Sequence, residues 1–459
     1  MVRSGRTLEQ VLNDLGVSVT QIFKLCILLA LVITCWLIEA NFMDISYTEF
    51  QCKHKFSSLE ITIIRCVLII TMATGSLVFG LIADIKGRVL TMKFTLFLYI
   101  YFRLISIAAG DILWEDLATK IIIVFTCGGF MTISLVHFIE SLPSKTRSRY
   151  LLLSVAFGLF IGTMLIYLKP WIKIPFFRHL ILLLPGLLVL VLLLTTGEES
   201  IRYLNSTGDF DQVVKKLNQL SDDSRQSLPE KITMNYKNFI FGSLRFMFRK
   251  RPENVIIVSL LLGLVLTIAS TTRQIYALML LPGLSTFHIT IAINNTLTPY
   301  CQITDVEEQL PAFFRPLSAL CVVVFLILAA LSVSTCGTRG VFRLQVLVSM
   351  IFLITLCTHY NELASNIILY LTSLLAYVCP WTLYLYISEL LPTHYRGVGL
   401  GFLMLNGNML MVILTLLLWN IVILSYKMLM ILMATFAALS LILGLLLPNN
   451  KFYINSRVI

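Results

Sequence analysis

Charge is what this chain has least of. Lys, Arg, Asp and Glu make up 13% of its 459 residues, against 58% hydrophobic ones. A water-soluble fold of this length carries roughly twice that charged share. Metal and nucleotide signatures are missing as well. The ten cysteines are scattered, with no Cys-x-x-Cys and no zinc-type Cys/His spacing, and Gly-x-x-x-x-Gly-Lys does not occur. Structural zinc and direct ATP drive therefore have no support. No paired-carboxylate motif points to catalysis. The chain is not expected to be an enzyme or to need a metal or cofactor.

What it does have is long apolar runs. Twelve of them lie near 22–42, 61–82, 92–110, 119–139, 150–168, 178–196, 254–281, 313–335, 341–359, 363–388, 398–423 and 426–447. Each is roughly 20 residues, enough to cross a hydrocarbon core as a helix. The seventh and eighth are the least clean, because Pro282, Pro299, Pro311 and a group of acids lie between them. The first run is long, starts after a polar stretch and is not followed by a small-residue cleavage pattern, so it reads as a helix and not a cleaved signal.

The net charge of +11 follows topology, not one face, which argues against nucleic acid. Lys86, Arg88 and Lys93 follow the second run; Lys145, Arg147 and Arg149 follow the fourth; Arg339 and Arg343 follow the eighth. Short basic loops stay cytoplasmic. Both termini and the stretch 197–252 are therefore expected inside, in a multi-pass protein of the plasma membrane. Acids such as Asp44, Glu49, Asp111, Asp305 and Glu307 mark the alternate connections. Lys169, Lys173 and Arg178 are an exception on the predicted outer side. Asn294-Asn-Thr296 is a glycosylation acceptor on that side, whereas Asn205-Ser-Thr207 lies inside and is expected to be silent. Cys52 and Cys301 also fall outside, where a disulfide between them is possible and the spacing leaves it open.

A polar device is repeated. Glu-x-x-Pro-x-x-x-Arg occurs as Glu140, Pro143, Arg147 and again as Glu389, Pro392, Arg396, each time after an apolar run. Carriers are commonly built from two related halves with the solute between them. The expected division is a six-helix half at 1–196, a cytoplasmic linker at 197–252 and a second six-helix half at 253–459. Within the linker, Phe210, Val213, Val214, Leu217 and Leu220 stand at helical spacing. That amphipathic helix suits either the membrane face or a site packed beneath the bundle.

Five stretches carry a family resemblance. GSLVFGLIADIKGRVLTMK, with Gly75, Gly80, Asp84, Gly87 and Arg88, resembles the signature loop between helices two and three of the major facilitator superfamily. Ile85 and Val89 stand where that signature has Arg. VHFIESLPSKTR and YISELLPTHYRGVGLG resemble the corresponding loops of the organic cation, anion and carnitine transporter family. GEESIRYLNSTG resembles the opening of that family's central loop, and TLEQVLNDLG its lead-in. The resemblance implies an all-α integral membrane protein with the major facilitator fold. This chain departs from the family in three ways. It lacks the large cysteine-rich first outer loop. Its second-half counterpart STCGTRG keeps Gly337 and Arg339 without an acid, and Pro448-Asn449-Asn450 replaces Pro-Glu-Thr.

The resemblance also implies a cytoplasmic charge network of Asp84, Arg88, Glu140, Arg147, Glu199, Arg202, Glu389 and Arg396. Its members would form pairs within and between the halves and hold the inner side shut, with topology and helix capping as the plainer roles. Glu39, Arg65, Arg103, His137, Arg273 and His359 are charges or histidines inside apolar runs, which usually face a cavity or a partner. Glu39, Arg65 and Arg273 are the best cavity candidates, and Arg65 and Arg103 fit a snorkelling role equally well. His137 suits a gate or packing position. Tyr377, Trp381, Tyr384 and Tyr386 suit a cation or aromatic solute or ordinary packing. Asn408 stands where the resemblance implies an acid in cation carriers and a base in anion carriers. An amide there can bond a polar solute or a neighbouring helix.

Together these observations predict a carrier for small organic ions or zwitterions, working by alternating access, with a coupling ion possible. The competing class is a carrier-fold receptor or partner-binding protein that does not transport.

Overall fold

The computed structural model describes residues 6–7, 12–13, 17–54, 58–108, 113–144, 146–168, 175–224, 232–233, 252–279, 314–358, 362–391, 393–422 and 426–447. Asn294, Cys301, His359, Pro392, the linker beyond Ser224 apart from 232–233, and the chain ends lie outside them, as does the side chain of Cys52.

Leu, Ile, Val and Phe dominate every long segment. Lipid offers the backbone no hydrogen bonds, so such segments become helices. The first six are α1 (Val19–His54), α2 (Ser58–Lys86), α3 (Arg88–Ala108), α4 (Leu113–Ser141), α5 (Arg147–Leu168) and α6 (Pro175–Thr196). The linker forms α7 (Ile201–Thr207) and α8 (Phe210–Ser224). The second set is α9 (Pro252–Met279), α10 (Phe314–Thr358), α11 (Glu362–Leu390), α12 (Arg396–Val422) and α13 (Tyr426–Leu446). A two-residue β1 (Arg6–Thr7) pairs in parallel with β2 (Ile232–Thr233).

Among the described residues, 10 helices are long and apolar enough to cross a membrane. One span, Leu320–Thr358, bends at Gly337, whose φ of 72° breaks the helical geometry, and so crosses twice. The shorter apolar stretch Leu180–Thr195 of α6 supplies the remaining crossing. The twelve expected crossings are thus present, with the eighth and ninth runs joined in one bent element. Helix α1 also outlasts its apolar run, because residues 43–54 contain neither Gly nor Pro to stop it.

Within the first half α2 and α3 pack on α4, and α1 on α5. Within the second, α10 packs on α11 and α13, and α9 on α12. Among the described residues, the two most extensive seams between the halves are α2 against α12 and α5 against α10. The α2/α12 seam is a backbone contact. A Cβ on Gly80 would stand 2.5 Å from the Gly397 carbonyl oxygen, and one on Gly401 2.4 Å from that of Ser76. Only glycine lets two helices approach so closely. Helix α8 buries Val213 and Leu217 completely and leaves Val214 exposed. The amphipathic segment therefore packs against protein.

Candidate functional site

The site begins at the turn after α2. Gly87 has φ 112°, and a Cβ there would meet Glu199 Oε1 at 2.7 Å. The turn starts α3 at Arg88, and Glu199 accepts the backbone N–H groups of Arg88 (3.1 Å) and Val89 (2.8 Å). These are orphan donors of a helix N-terminus, which favours a carboxylate. Burial raises the Glu199 carboxyl above its ordinary 4.5, and the same N–H groups and the Arg88 charge offset only part of that rise. Arg202 donates to the carbonyls of Ile139, Glu140 and Leu142 at the end of α4. Both residues were expected in the charge network, and the structure places them at helix ends, where they cap backbone groups. The linker lies directly beneath two helix ends, so backbone groups are the nearest partners.

Glu140 is the centre of the cluster. Its Oε2 receives Arg88 Nε at 3.1 Å and the Ser200 hydroxyl at 3.2 Å. Its Oε1 receives Arg396 Nη1, from the other half, at 3.4 Å. Arg88 also meets Asp84 at 2.9 Å and donates to the Thr393 carbonyl across the seam at 2.9 Å. The Tyr203 ring covers its guanidinium, with the centroid 4.2 Å away. Asp84 in turn accepts the N–H groups of Gly397 (3.2 Å) and Val398 (2.8 Å) and so caps α12. Arg88, Glu140 and Arg396 are buried, so these contacts act in a low-dielectric setting.

Glu389 is the second centre. It accepts hydroxyl bonds from Ser148 (2.7 Å) and Thr338 (3.1 Å) and pairs with Arg147 at 3.6 Å, an ion-pair distance. The two repeated motifs therefore exchange partners. Glu140 holds Arg396 and Glu389 holds Arg147, each a pair between the halves. The reason is the turn between Glu and Arg. Proline cannot continue a helix hydrogen-bond ladder, so α4 ends near Pro143 and Arg147 opens a new helix, α5. That helix packs on α10 and carries its guanidinium to the opposite half. Arg396 likewise opens α12, which packs on α2 beside Arg88.

The expected cavity residues lie apart from this cluster. Glu39 is buried and answered by the Tyr99 hydroxyl at 2.9 Å and Arg103 Nη1 at 3.3 Å. It closes a contact between α1 and α3, and a buried carboxylate of this kind needs a charged partner. Arg103, a snorkelling candidate, is that partner. Trp381 and Tyr384 are also buried, with ring centroids 6.0 Å apart. Trp381 meets Trp36 edge-on at 5.1 Å, which joins α11 to α1 across the halves. Arg273 stands 5.7 Å from the centroid of the half-buried Tyr377 ring. Asn408 donates its amide N–H to the Met404 carbonyl of its own helix at 2.8 Å. Tyr386 and His137 are buried, and Arg65 is half-buried.

Sequence reasoning missed Ser148, Ser200, Tyr203, Thr338, Tyr99 and Trp36. Two had a signal: Ser148 follows a motif arginine, and Thr338 follows Gly337 as Arg88 follows Gly87. Trp36 and Tyr99 had none, because nothing in the chain says which helices meet.

Comparison with known proteins agrees with this architecture. The profile of the family described as "Sugar (and other) transporter" matches residues 33–452. The chain belongs to that family of membrane transporters, within the major facilitator superfamily. Among curated proteins, synaptic vesicle 2-related protein of Rattus norvegicus is 27% identical over 210 residues, 45% of this chain and 38% of the relative. The Bos taurus protein of the same name is 24% identical over the same length and shares. The chain thus spans little more than a third of the curated relatives it matches. Among solved structures, the proton:xylose symporter XylE bound to 6-bromo-6-deoxy-D-glucose has a TM-score of 0.68 at 14% identity, covering 94% of this chain and 96% of that one. Inward-open XylE from E. coli has a TM-score of 0.57 at 13% identity, with 93% and 95% covered. These structures share the fold.

Proposed function

We propose that this chain carries small organic ions or zwitterions across the plasma membrane by alternating access, and that the buried cluster around Glu140 and Glu389 is its inner gate. One observation carries the reading: each motif arginine is held by the glutamate of the opposite half. Every such contact must break when the halves separate on the cytoplasmic side. A few kcal/mol gained only in the closed state is enough to move a two-state equilibrium a hundredfold or more. The resemblance of the loop motifs to those of the organic cation, anion and carnitine carriers supports that class of solute. Those motifs and the basic connections favour cytoplasmic termini and a linker between halves at 197–252, and the solute cavity of this reading is lined by Arg273, Tyr377 and Asn408.

The test is uptake by expressing cells of labelled organic cations, anions and zwitterions. Xylose and 6-bromo-6-deoxy-D-glucose are included because XylE, which shares the fold, is a proton:xylose symporter bound to that glucose derivative. Saturable uptake of an ion above vector control is expected. A chain that reaches the surface and moves none of the panel would overturn this reading for those solutes and favour a carrier-fold receptor. Topology is checked with single cysteines and an impermeant label on intact cells, in a background cleared of reactive native thiols. A cysteine at Glu115 should react and one at Lys215 should not; the reverse pattern overturns the orientation.

A further inference from the structure

The two halves make matched turns at their inner ends. Gly87 (φ 112°) precedes Arg88, and Gly337 (φ 72°) precedes Thr338. Each following side chain reaches the glutamate one residue before the end of a helix in its own half. Arg88 reaches Glu140 at 3.1 Å, and Thr338 Oγ1 reaches Glu389 at 3.1 Å. Thr338 therefore occupies the place of Arg88, with a hydroxyl in the position of a guanidinium.

The surroundings repeat that inequality. The Glu140 side chain is fully buried and takes guanidinium contacts at 3.1 and 3.4 Å. The Glu389 side chain is 9% exposed, its Arg147 partner is 12% exposed, and they stand 3.6 Å apart. Coulomb attraction strengthens as water is excluded, and a hydroxyl adds none of the charge–charge part. Asp84 also clamps the first N–H groups of α12, at the glycine-lined α2/α12 contact.

We infer that the inner gate consists of two unequal locks that release in order. The α5/α10 seam, held at Glu389 with Thr338 as a positioning residue, parts first. The α2/α12 seam, held at Glu140, parts last. This rests on the gating reading above and adds the order of opening to it. A threonine where the other half has arginine thus gives the carrier a partly opened intermediate on the cytoplasmic side.

Spin-label distances in lipid nanodiscs test the order, in full-length protein with the other reactive thiols replaced. One pair spans α5/α10, at Arg149 and the exposed Cys336. The other spans α2/α12, at the exposed Lys86 and at Thr393. E389Q should raise the long-distance population at α5/α10 at least tenfold and leave α2/α12 closed. T338V, which keeps the shape and removes the hydroxyl, should raise it two- to fivefold at the same seam only. E140Q should open both seams. If E389Q opens both seams together, or T338V leaves α5/α10 unchanged, the ordered release is wrong while the gate stands. If no variant changes either distance, the gating reading falls and the order falls with it.

Discussion

Arg396 lies 3.4 Å from Glu140 of the opposite half, although a glutamate of its own motif copy, Glu389, is nearer in sequence. This crossed pairing turns a repeated loop into a contact between halves. Removing the carboxylate leaves two buried guanidiniums, Arg88 and Arg396, short of their shared anion. Losing one partner of a buried pair costs about 3–5 kcal/mol.

E140Q should therefore lower transport at least tenfold with surface expression kept, and E389Q should lower it less. The charge swap E389R/R147E should restore much of the activity. E140R/R396E should not, because Arg88 would then face the new arginine. Uptake rates corrected for surface protein decide this, and wild-type rates in E140Q would remove the gate.

The Glu39–Arg103 pair makes a separate prediction. Because both side chains are buried in one half, R103Q or E39Q should each destabilise the protein by about 3–5 kcal/mol. The double substitution E39M/R103M should be milder than either, since it leaves no unpaired charge. Thermal unfolding of the purified variants measures this. A double variant that loses the sum of the two single losses would show that the pair is not coupled.

Asn408 tests where the solute binds. If α12 lines the cavity, N408D should favour cations and N408R anions. A unit charge about 4 Å away is worth roughly 4 kcal/mol at an effective dielectric near 20, before desolvation. Competition assays on surface-expressed variants read the order of inhibitors. An unchanged order in both would confine Asn408 to its bond with the Met404 carbonyl.

Glu199 gives a pH dependence. Its carboxyl is raised above 4.5 by burial. The folded state thus binds its proton more tightly than the unfolded state does. Its contribution to stability is fully present below the unfolded value and is lost as pH rises through the folded one. E199Q stays neutral throughout. The melting temperature of the wild type relative to E199Q should be highest in acid, fall as pH rises above 4.5, and then level off. A difference that rises with pH would mean that the backbone N–H groups outweigh burial.

How much of this was legible in the sequence depended on whether a feature is local. Apolar runs of membrane length fix crossing helices, because no other open structure satisfies its backbone in lipid. The doubled Glu-x-x-Pro-x-x-x-Arg motif marked two halves and named Glu140, Arg147, Glu389 and Arg396, which the structure brings together in pairs. Gly87 and Gly337 marked the turns. Partner choice was not legible. Glu140 meets Arg396 because α12 packs on α2, and Glu389 meets Arg147 because α5 packs on α10. Glu199 and Arg202 became caps because the linker lies under two helix ends. Glu39 found its partner in an arginine on another helix. Each of these outcomes depends on which helices touch, and a buried charge is answered by whatever partner packing brings within a few ångströms, not by the residue nearest in the chain.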